Sequence, residues 1–425
     1  MTSSNDSAAN AADSPARGRP RHAPQDNFPV VDNCLQIGGQ PLATLAARAD
    51  GRPFYAYDSA LMTRRVEALR AQLPTAIHLH YAIKANPMPA VVAHMAGLTD
   101  GLDVASAAEL ATALATGIDP ATISFAGPGK SLEDLQAAVR AGVIIILEST
   151  TEMQRVADLA STVSAPPTVA IRVNPDFELK ASGMKMGGGP KPFGIDAEQV
   201  PEVMRQLAAL PLDLVGLHIF SGSQNLRPEA LIEAHDKTFA LALRLAAEAP
   251  KPFRWLNIGG GFGVPYFPGE EPLDLAPVVA NLRQRVDEAL EQLPGVELVM
   301  ELGRYLVAEA GIYVCTVSDR KVSRGHTFLI TNGGLHHHLA ASGNFGQVIR
   351  KNYPVCIGNR VHSDDEETVS IVGPLCTPLD ILGERMSLPR AAIGDLVVLF
   401  QSGAYGYTAS PHLFLSHPPP LEFLL

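Results

Sequence analysis

The chain has 425 residues, of which 46% are hydrophobic and 18% charged, and its net charge is −11. That balance suits a globular protein with room for one large and one smaller domain, and it is too apolar for a disordered chain. The negative charge without a Lys/Arg cluster argues against a nucleic-acid partner, and the densest apolar run, Val143–Leu147, falls far short of the ~20 residues of a membrane span. A cytoplasmic protein with no membrane contact, acting on a small molecule, is expected. Cys34, Cys315, Cys356 and Cys376 are too scattered for a zinc site and too few for a disulfide scaffold, which fits a reducing compartment.

Residues 1–27 are rich in Ser, Ala, Asn, Asp, Arg and Pro and lack the apolar centre of a secretory signal, so they read as a disordered tail. Residues 28–57 follow, ending in the β-rich run Phe54–Tyr57. From 58 to 306, short β-rich runs precede helical ones: Ile77–Ile83, Gly101–Ala105, Ile123–Ala126, Ile144–Glu148, Thr168–Val173, Leu214–Ile219, Trp255–Ile258 and Leu298–Leu302. Amphipathic segments such as Ser131–Ala141, Glu152–Leu159 and Leu282–Leu293 lie between them. Eight strands alternating with helices predict an α/β fold, the (β/α)8 TIM barrel. An open doubly wound sheet is the rival, but the Gly259–Gly263 turn has the wrong spacing for its dinucleotide fingerprint. From 307 to 425 the runs Gly311–Val317, Thr327–Thr331, Val369–Val372 and Leu396–Gln401 predict a C-terminal β-domain, which Phe54–Tyr57 joins from the other end of the chain.

The first barrel strand leads into Tyr81–Ala82–Ile83–Lys84–Ala85–Asn86. A lysine at the carboxyl end of a barrel strand points into the mouth, where it can form an imine with an aldehyde cofactor. Alone, such a lysine is more often a surface cation. Its company makes the difference. Gly259–Gly263 offers backbone N–H groups that can approach a phosphate, and Glu301 after an apolar strand could keep a pyridine nitrogen protonated. A local ion pair between Glu301 and Arg304 is the plainer alternative.

Further runs occur in order: Asp103–Val104–Ala105–Ser106 with Glu109, Arg172–Val173–Asn174–Pro175, Gly222–Ser223–Gln224, Glu301–Leu302–Gly303–Arg304, Gly373–Pro374–Leu375–Cys376 and Gly403–Ala404–Tyr405. With the lysine and glycine motifs, they make residues 50–425 resemble the fold type III pyridoxal-phosphate decarboxylases of diaminopimelate, ornithine and arginine, built on an alanine racemase-like barrel. The resemblance implies pyridoxal 5'-phosphate as cofactor and a head-to-tail homodimer with shared active sites. It implies Lys84 as the Schiff-base lysine and Glu301 as partner of the ring nitrogen. Ser223, Gly260, Gly261, Gly263, Gly303, Arg304 and Tyr405 would hold the phosphate, Asp103, Arg172, His218 and Phe220 would line the cofactor, and Cys376 would reach in from the partner subunit. A thiol is still protonated at neutral pH, so Cys376 suits protonation of Cα after CO2 leaves.

Three departures bear on the substrate. The acidic residue that pairs with a distal ammonium in the relatives acting on basic amino acids is replaced by Thr377, in Cys376–Thr377–Pro378–Leu379–Asp380. Ala340 falls where diaminopimelate decarboxylases carry an arginine. The stacking histidine becomes Phe220, with His218 two residues earlier on the same strand face. Thr377, Asp380 and His338 are the expected substrate contacts. Three consecutive histidines, His336–His338, would alternate faces on a strand and could not share one metal, so no metal is expected. These changes resemble a subgroup acting on amino-acid derivatives, including substrates tethered to an acyl-carrier protein, and decarboxylases of bacterial exosortase systems. A racemase on the same barrel, or a silent binding protein, is the alternative. A racemase would place a tyrosine at Cys376, and a silent relative would lose cofactor contacts that Lys84, Glu301 and Tyr405 retain.

Overall fold

The computed structural model describes residues 20–178, 184–185 and 187–425. Eight parallel strands, Ile77–Ala82, Gly101–Val104, Ile123–Phe125, Ile144–Leu147, Thr168–Asn174, Asp213–His218, Trp255–Gly260 and Glu297–Leu302, form a closed barrel. Closure follows from the last strand pairing with the first, Leu298 opposite Ile77, while the fourth pairs with the fifth, Ile145 opposite Val169. Strands covered on both faces can be apolar throughout, as in Ile144–Leu147, where all four residues are buried.

The helices between the strands carry ordinary end signals. Leu132–Ala141 starts at a capping box in which Ser131 and Asp134 satisfy each other's backbone N–H groups. It buries Leu135, Ala138 and Val139 and stops at Gly142, whose φ of 75° continues no helix. The 19-residue helix Pro228–Ala246 has no counterpart in the sequence expectation, and Leu275–Gln292 starts a turn and a half or more before the expected Leu282.

A second sheet of eight strands holds Gly311–Ser323, His326–Thr331, Glu366–Val372, Ile381–Pro389, Leu396–Leu399, Val355–Ile357, Phe54–Tyr57 and Leu421–Leu424. Phe54–Tyr57, buried along its whole length, pairs antiparallel with Gly311–Val314 and parallel with Leu421–Leu424. Its Tyr55 packs on Tyr57 and Tyr313, with ring centroids 6.1 and 5.0 Å apart.

Two expectations need correction. His336–His338 lie in turns beyond the strand that ends at Thr331, so strand alternation does not govern them; His337 and His338 both donate their backbone N–H to the Gly334 carbonyl. Residues 1–19 of the expected tail lie outside the described residues, but 20–27 pack against the protein. Ala23 is buried, Gly269 donates its N–H to the Arg21 carbonyl, and the His22 ring bonds the Asn352 carbonyl at 2.8 Å.

Candidate active site

The barrel interior just below the carboxyl ends of the strands is polar: His80, Asp103, Ser124, Arg172, His218, Asn257 and Glu301 are all buried there. Lys84 stands above this layer. The first strand ends at Ala82, and Lys84 sits in the following 3-10 turn, Ile83–Ala85. That turn is pinned from the β-domain, since Tyr405 donates its N–H to the Ala85 carbonyl at 2.8 Å and Asn86 donates its amide to the Gly403 carbonyl at 3.1 Å. Tyr405 has φ of 52°, a left-handed conformation that costs a non-glycine residue about 1 kcal/mol or more. A loop far away in sequence thereby forms one wall around Lys84.

Two adjoining cavities share Lys84, Phe220 and Glu301. The first is also lined by Ser223, Gly261, Gly303, Arg304 and Tyr405. The second adds Asp103, Arg172, Phe193 and His218. Lys84 Nζ lies 6.0 Å from the Phe220 ring centroid, and Phe220 stacks on His218 at 6.5 Å. A roomier hollow of about 450 Å³ lies outside the barrel, between the helices Ser59–Arg70 and Leu275–Gln292. It holds none of the residues that the motifs single out.

Glu301 is not the ion-pair partner of Arg304. Its Oε2 receives His218 Nε2 at 3.0 Å and Asn257 Nδ2 at 3.2 Å. Burial would raise its pKa, but His218, Lys84 and Arg172 hold the carboxyl far below the usual range, so it is ionised at neutral pH. Burial pulls the Lys84 ammonium down, and Glu301, Tyr405 and Asp103 overcome that pull and raise its pKa above the ordinary value. Arg172 pairs with Glu148 at 2.9 Å. Arg304 bonds the Tyr266 hydroxyl at 3.0 Å and lies 4.5 Å over the Tyr405 ring; among the described residues it has no carboxylate partner.

The glycine loop explains itself sterically. Gly261 has φ of 81°, and a Cβ there would run into the Gly222 carbonyl; a Cβ on Gly260 would strike the Glu301 carbonyl. The Arg304 guanidinium, the backbone of this loop and the Tyr405 and Ser223 side chains could hold a phosphate. Beyond Phe220, the anionic Glu301 and the raised Lys84 amine fit the ring and aldehyde of a phosphorylated pyridine.

The other expected site residues lie elsewhere. Cys376 is exposed and lines neither cavity. Thr377 is half-buried, and its hydroxyl accepts the Leu379 N–H. His338 and Asp380 are buried and hydrogen-bonded within the β-domain. His338 is buried against the Ser402 hydroxyl at 2.9 Å, and burial pushes its imidazole down to about 3. Asp380 accepts the N–H groups of Leu335 and Leu375 at 2.6 and 2.9 Å. Replacing Asp380 by Ala should destabilise the fold by roughly 2–5 kcal/mol, because two buried N–H groups lose their acceptor. Urea unfolding measures this, and an unchanged midpoint would remove the bracing role.

His80, Ser124, Asn257 and Tyr266 take part in the site without having been singled out by sequence. His80 had a signal available: it is in phase with Ala82 on one face of the strand that leads into the Lys84 turn.

A closed parallel barrel with Lys84, Glu301 and Arg304 around one cavity suits a pyridoxal-phosphate enzyme of fold type III. The chain belongs to the pyridoxal-dependent decarboxylases, since residues 59–308 match the family model described as "pyridoxal-dependent decarboxylase, pyridoxal binding domain". It is therefore a carboxy-lyase with pyridoxal phosphate as cofactor. It is 39% identical, over 88% of either chain, to the L-glutamyl-[BtrI acyl-carrier protein] decarboxylase of Niallia circulans. It is 31% identical to the 2-[(L-alanin-3-ylcarbamoyl)methyl]-2-hydroxybutanedioate decarboxylase of Staphylococcus aureus, over 87% of this chain and 93% of that one. Diaminopimelate decarboxylase from Helicobacter pylori, solved in complex with L-lysine, superposes with a TM-score of 0.79 at 25% identity, covering 90% of this chain and 94% of that one.

Proposed function

We propose that this enzyme removes the α-carboxylate of an amino-acid derivative whose distal end is not a free ammonium, with a carrier-linked acyl amino acid as the leading substrate class. The observation that carries the chemistry is that Lys84 lines one cavity together with Glu301, Arg304 and Tyr405. When bound, the cofactor supplies an electron sink for the bond broken at Cα. Lys84 would hold its aldehyde, Glu301 would face its ring nitrogen, and Phe220 would lie beside the ring. Ser223, Gly260, Gly261, Gly263, Gly303, Arg304 and Tyr405 bind the phosphate. Asp103, Arg172 and His218 hold the far side of the ring cavity.

Cys376 donates the proton that replaces CO2 at Cα. It lies outside the cavities that hold Lys84, so we assign it to the active site of a second copy in a homodimer. Phe345, Val348, Ile349 and Leu379, all exposed apolar residues near the Cys376 loop, support such a contact. The division into a segment 28–57, a barrel 58–306 and a β-domain 307–425 belongs to the same proposal. Four free cysteines fit a cytoplasmic setting.

The substrate class rests on Thr377 and on the carrier-linked substrate named for the Niallia relative. The Thr377 hydroxyl is occupied by the Leu379 N–H, and the nearby Asp380 carboxylate is occupied by two backbone donors. The Thr377 hydroxyl carries no charge to balance a desolvated ammonium, and Asp380 is buried with both oxygens turned to backbone donors. A CO2-release screen over free and carrier-linked amino acids tests this. Free diaminopimelate and ornithine should turn over at least about a hundredfold more slowly than the best carrier-linked substrate, and Thr377→Asp should improve turnover of a basic amino acid, at the scale of one buried charge pair. Efficient wild-type turnover of either free diamino acid would refute the assignment.

A further inference from the structure

The polar layer beneath Lys84 contains a pairing that the decarboxylase reading leaves unused. His80 lies on the inward face of the first barrel strand, flanked in register by Gly101 of the second strand and Glu301 of the eighth. Asp103, next to Gly101 but one on the second strand, stands opposite Ser124 of the third. His80 Nδ1 is 3.3 Å from Asp103 Oδ1, and the Ser124 hydroxyl donates to the same oxygen. The space for the imidazole depends on Gly101, because a Cβ there would press on His80 Nε2 and the Thr122 carbonyl.

The two donors leave Asp103 Oδ2 as the interesting atom. It is buried and has no hydrogen-bond partner among the described residues. Asp103 lines the cavity shared with Lys84, Arg172, His218 and Glu301. A buried carboxylate oxygen without a donor is costly, so a site that fixes one in this way favours positive charge nearby.

We propose that His80 and Ser124 are positioning residues that act on Lys84 through Asp103, holding its carboxylate turned so that the nitrogen of Lys84 keeps its proton. The inference rests on Lys84 holding the cofactor and deepens that reading by naming what sets the protonation of the linkage. Asp103, Glu297 and Glu301 are the charged groups acting on His80; Glu301, Tyr405, Asp103, Arg172 and Glu109 are those acting on Lys84. The pKa of the Lys84 ammonium is raised, with Asp103 among the causes. Removing a donor from Oδ1 frees the carboxylate to turn away. That change weakens the negative potential at Lys84, whose nitrogen then deprotonates at lower pH.

The test is a pH titration of the visible absorption of the cofactor-loaded enzyme. Asp103→Asn should lower the midpoint by about one pH unit, the scale of one nearby charge. His80→Phe and Ser124→Ala should each move it in the same direction by less, and the double variant His80→Phe/Asp103→Asn should match Asp103→Asn alone. His80→Gln, which keeps one N–H donor, should recover most of the His80→Phe shift. Ser124→Ala removes a single oxygen and keeps the question answerable if His80→Phe fails to fold. Unchanged or raised midpoints in folded His80→Phe and Ser124→Ala, or additive shifts in the double variant, would overturn the proposal while leaving the cofactor reading intact. A wild-type protein with no visible absorption after exposure to pyridoxal phosphate would overturn both.

Discussion

Replacing Lys84 by Ala is expected to abolish the visible absorption of the loaded enzyme and to lower turnover at least about a thousandfold, the scale of losing a covalent or acid–base group. The expectation follows from position and charge together. Lys84 occupies a short turn pinned by Tyr405 and Asn86, so its amine is fixed relative to Glu301 and the phosphate cradle. Removing the side chain should leave the barrel intact, because among the described residues the Lys84 side chain makes no hydrogen bond or ion pair, and it faces the cavity. Lys84→Arg separates two explanations. A guanidinium keeps the positive charge near Glu301 but cannot form an imine at ordinary pH. If charge balance were the only role, Lys84→Arg would retain activity; if Lys84 carries the cofactor aldehyde, it should be as inactive as Lys84→Ala. Absorbance spectra and CO2 release on the same preparations distinguish the cases, and an active, coloured Lys84→Ala protein would sink the assignment.

The barrel was legible because parallel strands buried on both faces are short apolar runs, and Ile144–Leu147 or Leu298–Leu302 stand out against the polar helices around them. The β-domain was less so. Ile381–Pro389 contains Gly383, Glu384 and Arg385 and alternates poorly, because its register with Glu366–Val372 shifts twice. In the site, residues that carry a motif were visible, and those that depend on lateral register were not. Nothing in the sequence states that Ala82 lies opposite Asp103 and His80 opposite Gly101, so the His80–Asp103 contact had no linear signature. His338 and Asp380 show the opposite case. Both adjoin residues with a substrate motif, but the chain folds them inward, where Ser402 and two backbone N–H groups consume their polar atoms.

Cys376→Ala should leave cofactor absorption unchanged and slow product formation by about 10²–10⁴-fold, the usual contribution of a positioned proton donor. The asymmetry between binding and turnover follows from where the residue lies. Cys376 is exposed on a loop of the β-domain whose backbone is held by Asp380, and it contributes to neither cavity around its own Lys84. Its effect on turnover therefore requires that it enter another copy's barrel mouth. Mixing inactive Lys84→Ala with inactive Cys376→Ala tests that requirement directly. In a twofold dimer with shared sites, each hybrid combines one intact site with one doubly impaired site, so an equal mixture after exchange should regain about a quarter of wild-type activity. If Cys376 served the site of its own chain, hybrids would contain only impaired sites and no activity would return. Recovery that depends on dilution, falling as the dimer dissociates, would tie proton delivery to the subunit contact formed around Leu379 and Phe345.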